Sequence, residues 1–140
     1  MRQIAFLLLA GALFLACNGH SPSPTEAAKA APTISNLSYP AAATLLPGQG
    51  GGTAGPRFGE LPINFDYVAP DGDLAKVLVS TPLGVADNPL QGVAGHASGM
   101  AGFIQSVLLP PAGQKVPFTV QVEDSHGDLS NILSGTFVSP

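Results

Sequence analysis

Residues 115–123, KVPFTVQVE, set Val116, Phe118, Val120 and Val122 on one side of an extended backbone and Lys115, Pro117, Thr119, Gln121 and Glu123 on the other. Strict alternation is the period of a strand with one buried face. Residues 61–68, LPINFDYV, repeat it with Leu61, Ile63, Phe65 and Tyr67. Residues 74–81 are apolar on both faces, 101–109 carry Phe103, Ile104, Val107 and Leu109, and 129–138 close the set. A weaker strand covers 33–39, and one or two further short strands fit within 40–60 and 84–99. Gly, Pro, Asn or Asp separates each pair. Gly and Pro together (17 + 14) make 31 of 140 residues, about twice the usual share. With only 10% charged residues and no helical period, the chain cannot form a coiled coil or a helical bundle. The pattern predicts an all-β domain over 33–140, a single antiparallel β-sandwich of about seven strands. Phe65, Tyr67, Val77, Val79, Phe118, Val120 and Val122 are the expected core. Pro62 and Pro117 fall inside strand runs, so each should mark a strand start, an edge or a bulge.

The N-terminus follows a different rule. In MRQIAFLLLAGALFLAC, Arg2 precedes a run of thirteen apolar residues, Ile4 to Ala16, which ends at Cys17, the sole cysteine of the chain. The run suits the apolar region of a signal peptide and is shorter than the roughly 20 residues of a spanning helix. One cysteine permits no intramolecular disulfide and no cysteine-cluster metal site. From Asn18 to Pro32 the chain, NGHSPSPTEAAKAAP, has the composition of a flexible linker. Its 15 or so residues, at ~3.3–3.6 Å each, reach up to roughly 50 Å.

Leu13-Phe14-Leu15-Ala16-Cys17 resembles the lipobox of bacterial lipoproteins, with Phe14 where that family most often has Leu. The resemblance implies cleavage after Ala16, diacylglycerol on the Cys17 sulfur and a fatty acyl group such as palmitate on its new amine. An ordinary secretory signal with an incidental cysteine, or an uncleaved anchor, is the alternative. The chain then divides into a signal peptide, 1–16, a lipidated Cys17 with its linker, 17–32, and the domain, 33–140. Asn18, where Asp would favour the inner membrane in that family, points to the outer membrane of the cell envelope. Without residues 1–16 the charge is 4 basic against 9 acidic residues, about −5.

A second resemblance covers residues 32–140. INFDYVAPDGDLAKVLV looks like the second and third strands of the immunoglobulin-like domains of bacterial envelope proteins, and VPFTVQVEDSHGDLSNILSGTFVSP like their last hairpin. Val68-Ala69 and Asp128 depart from that family's turn residues, and the Cys pair and Trp of antibody domains are absent. The resemblance implies an immunoglobulin-like sandwich and is silent on ligands.

Candidate sites are few. Gly50-x-Gly52-x-x-Gly55 has the spacing of a dinucleotide loop, but Pro56 follows where a helix should open. His20, His96 and His126 each lack a neighbouring His or Cys at metal-ligand spacing. Ser98 lacks a nucleophile elbow. The acidic turns Asp71-Gly72-Asp73 and Asp124…Asp128 are ordinary hairpin chemistry. They are also the one place where hard oxygen ligands for Ca²⁺ accumulate. If the sandwich is immunoglobulin-like, both turns lie at one pole, and Asp71, Asp73, Asp124 and Asp128 should cluster there, beside the point where the linker enters. Five Lys and Arg residues are too few for a nucleic-acid surface. No nucleophile, base and orienting group can be assembled, so the expectation is no enzyme and no cofactor beyond a possible Ca²⁺. The expected role is a membrane-anchored structural or adhesive envelope module. The alternative is a binding module that captures an envelope protein, a glycan or a secreted protein through loops 40–60 and 82–100.

Overall fold

The computed structural model describes residues 29–47 and 56–140. Cys17, His20, Gly50, Gly52 and Gly55 lie outside the described residues. Eight strands follow one another: β1 (Thr33–Ser38), β2 (Thr44–Leu45), β3 (Arg57–Val68), β4 (Leu74–Thr81), β5 (Gly84–Pro89), β6 (Ser98–Leu109), β7 (Lys115–Asp124) and β8 (Leu133–Val138). They form two antiparallel four-stranded sheets. In one, β3 pairs with β6 on one side and with β1 and then β2 on the other; the second runs β5-β4-β7-β8. This is an all-β sandwich, and every strand expected from the sequence is present. Pro32 is fully buried, so packing of the domain begins one residue before the expected boundary.

Alternation explains the packing. Leu61, Ile63, Phe65 and Tyr67 of β3 face Val116, Phe118, Val120 and Val122 of β7 and Val77 and Val79 of β4, all at most 4% exposed. Each fully buried side chain of this size contributes about 1.5–3 kcal/mol. All seven expected core residues are buried. In β4 the period shifts, since both Leu74 and Val77 are buried. A register irregularity between Leu74 and Lys76 against β7 supplies the extra residue.

The two prolines sit at local edges. The bond from Ala69 N–H to Ala97 C=O (2.7 Å) extends the β3–β6 register. It fixes the odd-numbered residues of both strands as the hydrogen-bonded pairs. Pro62, opposite Ile104, is therefore a non-bonded pair, and its missing N–H faces the gap between β1 and β2. Pro117 lies beyond Thr119, the last β7 residue paired with β4.

Three boundaries differ from expectation. β6 begins at Ser98 rather than Ala101, because Ser98, Gly99 and Met100 pair with Val68, Tyr67 and Asp66. β3 begins at Arg57 rather than Leu61, because Gly59 and Glu60 find partners in β2. β8 begins at Leu133 rather than Leu129. Residues 129–132 run beside β7 without forming a ladder: Ser130 Oγ accepts from Val122 N–H (3.0 Å). Asn131 then turns outward to bond the Ile34 N–H and C=O with its side-chain amide (2.8 and 2.9 Å).

That amide is one of several contacts closing one flank of the sandwich. Tyr39 Oη accepts from Thr136 N–H (3.0 Å), and Val138 N–H donates to Ala41 C=O (2.9 Å). β1 and β8, at the edges of different sheets, are thereby laced together.

Candidate functional site

The strands deliver two turns to one pole. After β3, the 69–73 turn closes through Gly72 N–H to Ala69 C=O (2.8 Å). Gly72 has φ 65° there, a conformation glycine adopts without steric cost. After β7, Asp124 shapes the other turn. Its Oδ1 accepts from the backbone N–H groups of His126 (2.8 Å) and Asp128 (2.9 Å), the local bonding that makes Asp a turn former.

The turns are clasped together. Ser125 N–H donates to Asp73 C=O (3.0 Å), Ser125 Oγ–H donates to Asp73 Oδ2 (3.2 Å), and His126 Nδ1 lies 2.8 Å from the same oxygen. Lys29 Nζ stands 2.9 Å from His126 Nε2 and 3.8 Å from Asp73 Oδ2. An ammonium only donates, so Nε2 accepts and Nδ1–H points at Asp73. Ser125 Oγ stands 3.2 Å from the same Nδ1, so hydroxyl and carboxylate meet one ring nitrogen. A hydrolytic triad needs them on opposite nitrogens, so the arrangement is a clasp and not a nucleophile relay. The imidazole is 44% exposed, and solvent-exposed pairs of this kind contribute at most about 1 kcal/mol.

Asp124 is different because it is 3% exposed. Burial pushes its carboxyl up. The amides of Asp128 and His126, the nearby His126 ring and the Gly127 amide outweigh burial and hold it below the ordinary aspartate value. Its second oxygen, Oδ2, is buried and has no hydrogen-bond partner among the described residues.

Of the four carboxylates expected at this pole, Asp73 and Asp124 meet. Asp71 and Asp128 are exposed and stand outside the group of possible ligands. The third member is His126: one ligand atom from each of Asp73, Asp124 and His126 lies within 4.8 Å of the others. A nitrogen and two carboxylates suit a transition metal better than Ca²⁺, which takes six to eight oxygens. His126, Ser125 and Lys29 are the residues that sequence reasoning missed as partners. The signal was present in the turn itself, since Ser125 and His126 stand between Asp124 and Gly127. Elsewhere, His96 is exposed in the loop before β6, and Ser98 is the exposed first residue of that strand. The first described residue, Lys29, lies at this pole, so the linker enters the domain where the clasp is.

Comparison with family models, with curated proteins and with solved structures returns no match.

Proposed function

We propose that this chain is a lipid-anchored protein of the bacterial envelope, held by diacylglycerol and acyl groups on Cys17, whose β-sandwich serves as a non-enzymatic structural or adhesive module. The observation that carries the reading is the lone Cys17 closing a thirteen-residue apolar run. Two or more acyl chains give stable anchoring where one gives only marginal binding. The linker that follows enters the sandwich at the clasp, and Pro140 lies at the opposite pole. Strand order supports an immunoglobulin-like assignment: β1, β3 and β6 against β4, β7 and β8 match the first, second and fifth strands packed on the third, sixth and seventh. Asn18 after the cysteine favours the outer membrane.

The second reading is capture of an envelope protein or glycan through 82–100. A notch between the β4–β5 hairpin and the end of β6, lined by Leu83, Val85, Gln105 and Leu108, supports it.

Metabolic labelling with an alkyne fatty acid tests the anchor. Wild type should take up label and Cys17→Ser should take up none; equal label on both overturns the proposal.

A further inference from the structure

One flank of the sandwich is laced by backbone and side-chain contacts, whereas on the other the hydrogen bond recorded between β5 and β6 among the described residues is Asn88 Nδ2–H to Gln105 Oε1 (2.7 Å), which leaves the outer row of β6 backbone groups free of β5. On that second flank β5 and β6 are the free edges of their sheets. β5 carries Asp87 and Pro89, the devices that ordinarily stop an edge from pairing. β6 carries none. Its twelve residues, SGMAGFIQSVLL, include no charge and no proline. Since the odd-numbered residues bond to β3, the N–H and C=O groups of Ser98, Met100, Gly102, Ile104, Ser106 and Leu108 point away from the sheet. Among the described residues the only bond recorded to this row is Gln105 Nε2–H to Ser106 C=O (2.7 Å). The side chains of the same six residues lie on the exposed face, with Met100 74% and Ile104 62% exposed.

We infer that β6 is a pairing edge for a second copy of this chain, the two β6 strands running antiparallel across a two-fold axis at Phe103. In this register residue i faces residue 206 − i. Met100 then meets Ser106 of the other copy, Ile104 meets Gly102, and Leu108 meets Ser98. Every bulky apolar side chain on the exposed face falls opposite a small one, so two copies of one strand are complementary to each other. The pairing is isologous and satisfies the open row on both strands. Charge favours the same partner. A chain of net charge −4 repels its own copies over most of its surface, and β6 is a twelve-residue strip where two copies meet without like charges. Closing the edge joins the two β1/β2-β3-β6 sheets into one. The inference does not depend on the lipid anchor.

The test uses the full chain in detergent, with mass by light scattering and amide hydrogen exchange as a function of protein concentration. Wild type should form a dimer, and the amides of Met100, Gly102 and Ile104 should gain protection as it forms. Ile104→Lys sets two like charges beside the axis. That juxtaposition is unfavourable and should weaken the dimer at least roughly hundredfold. Ile132→Lys adds the same charge at an exposed site away from β6 (Ile132 is 59% exposed) and should leave the dimer intact. A monomer at every concentration, including one that pairs only with another protein's strand, overturns the inference. So does a dimer that survives Ile104→Lys, or one that leaves those amides unprotected.

Discussion

Gly135 is a glycine for want of space rather than for its backbone angle. It faces Phe118 across the β7–β8 ladder. A Cβ at this position would lie 2.5 and 2.6 Å from two carbons of the Phe118 ring and 2.8 Å from a carbon of Tyr39. Comfortable carbon contacts are about 3.5–4.0 Å, so Gly135→Ala must move both rings by about 1 Å. Neither is free to move. Phe118 is 2% exposed, edge-on to Tyr39 at 4.8 Å between centroids and 6.0 Å from Phe137. Tyr39 is held by the Thr136 N–H. Overpacking of this kind costs about 1–3 kcal/mol. For a domain of about 100 residues each kcal/mol lowers Tm by roughly 4–8 °C. Thermal unfolding followed by circular dichroism reads the effect. A double-mutant cycle assigns it: Phe118→Leu removes the two ring carbons that the methyl would strike. In that background Gly135→Ala should therefore cost less, by a coupling of about 0.5–3 kcal/mol. An unchanged Tm for Gly135→Ala, or strict additivity in the cycle, would refute the packing described for these two rings.

Two further expectations concern the ties between elements. Asn131→Ala strips both bonds from the backbone of Ile34, a residue 4% exposed, and should cost about 1–3 kcal/mol in urea unfolding. Faster amide exchange at Ile34 should accompany it. The Asp124 carboxyl titrates below the ordinary value of about 3.9 in the folded state, so the unfolded chain binds the proton more readily. Its contribution to stability is complete above that ordinary value and is lost as pH falls through the folded value. Urea midpoints measured from pH 6 down to pH 2 should fall below about pH 4 for wild type. They should fall less steeply for Asp124→Asn, which keeps an acceptor for the two amides without the charge.

The strands were legible because the alternation of apolar residues is a property of each short segment. Phe65, Val77 and Val120 could be placed inward from their neighbours alone. What could not be read depends on contacts distant in sequence. Nothing local to Leu129–Ile132 says that Asn131 will leave the β8 line to reach Ile34. Nor does KVLV show that a bulge will put Leu74 inward as well. Ile104 sits in an apolar run like any other, and only the pairing with β3 turns it to solvent. At the clasp, turn chemistry put Asp73 and Asp124 in two turns that the fold brings together, while Asp71 and Asp128 stay exposed beside them. The acidic pattern passed over His126, whose role depends on a carboxylate 53 positions away, on the other turn.

Lys29 sits at the clasp, and Pro140 lies at the opposite pole beside Arg57, whose guanidinium donates to the Pro140 carbonyl. β1 runs away from the linker, and β8 runs toward Pro140. Tension applied between the Lys29 end and the far pole would thus be directed along both outer strands, parallel to their axes. The bonds of the β1–β3 and β7–β8 ladders, with the Asn131 amide and the Ala41–Val138 contact, lie across that direction and are strained together in shear rather than peeled one after another. A sandwich strung this way between its two ends yields to a pull only when many bonds fail at once.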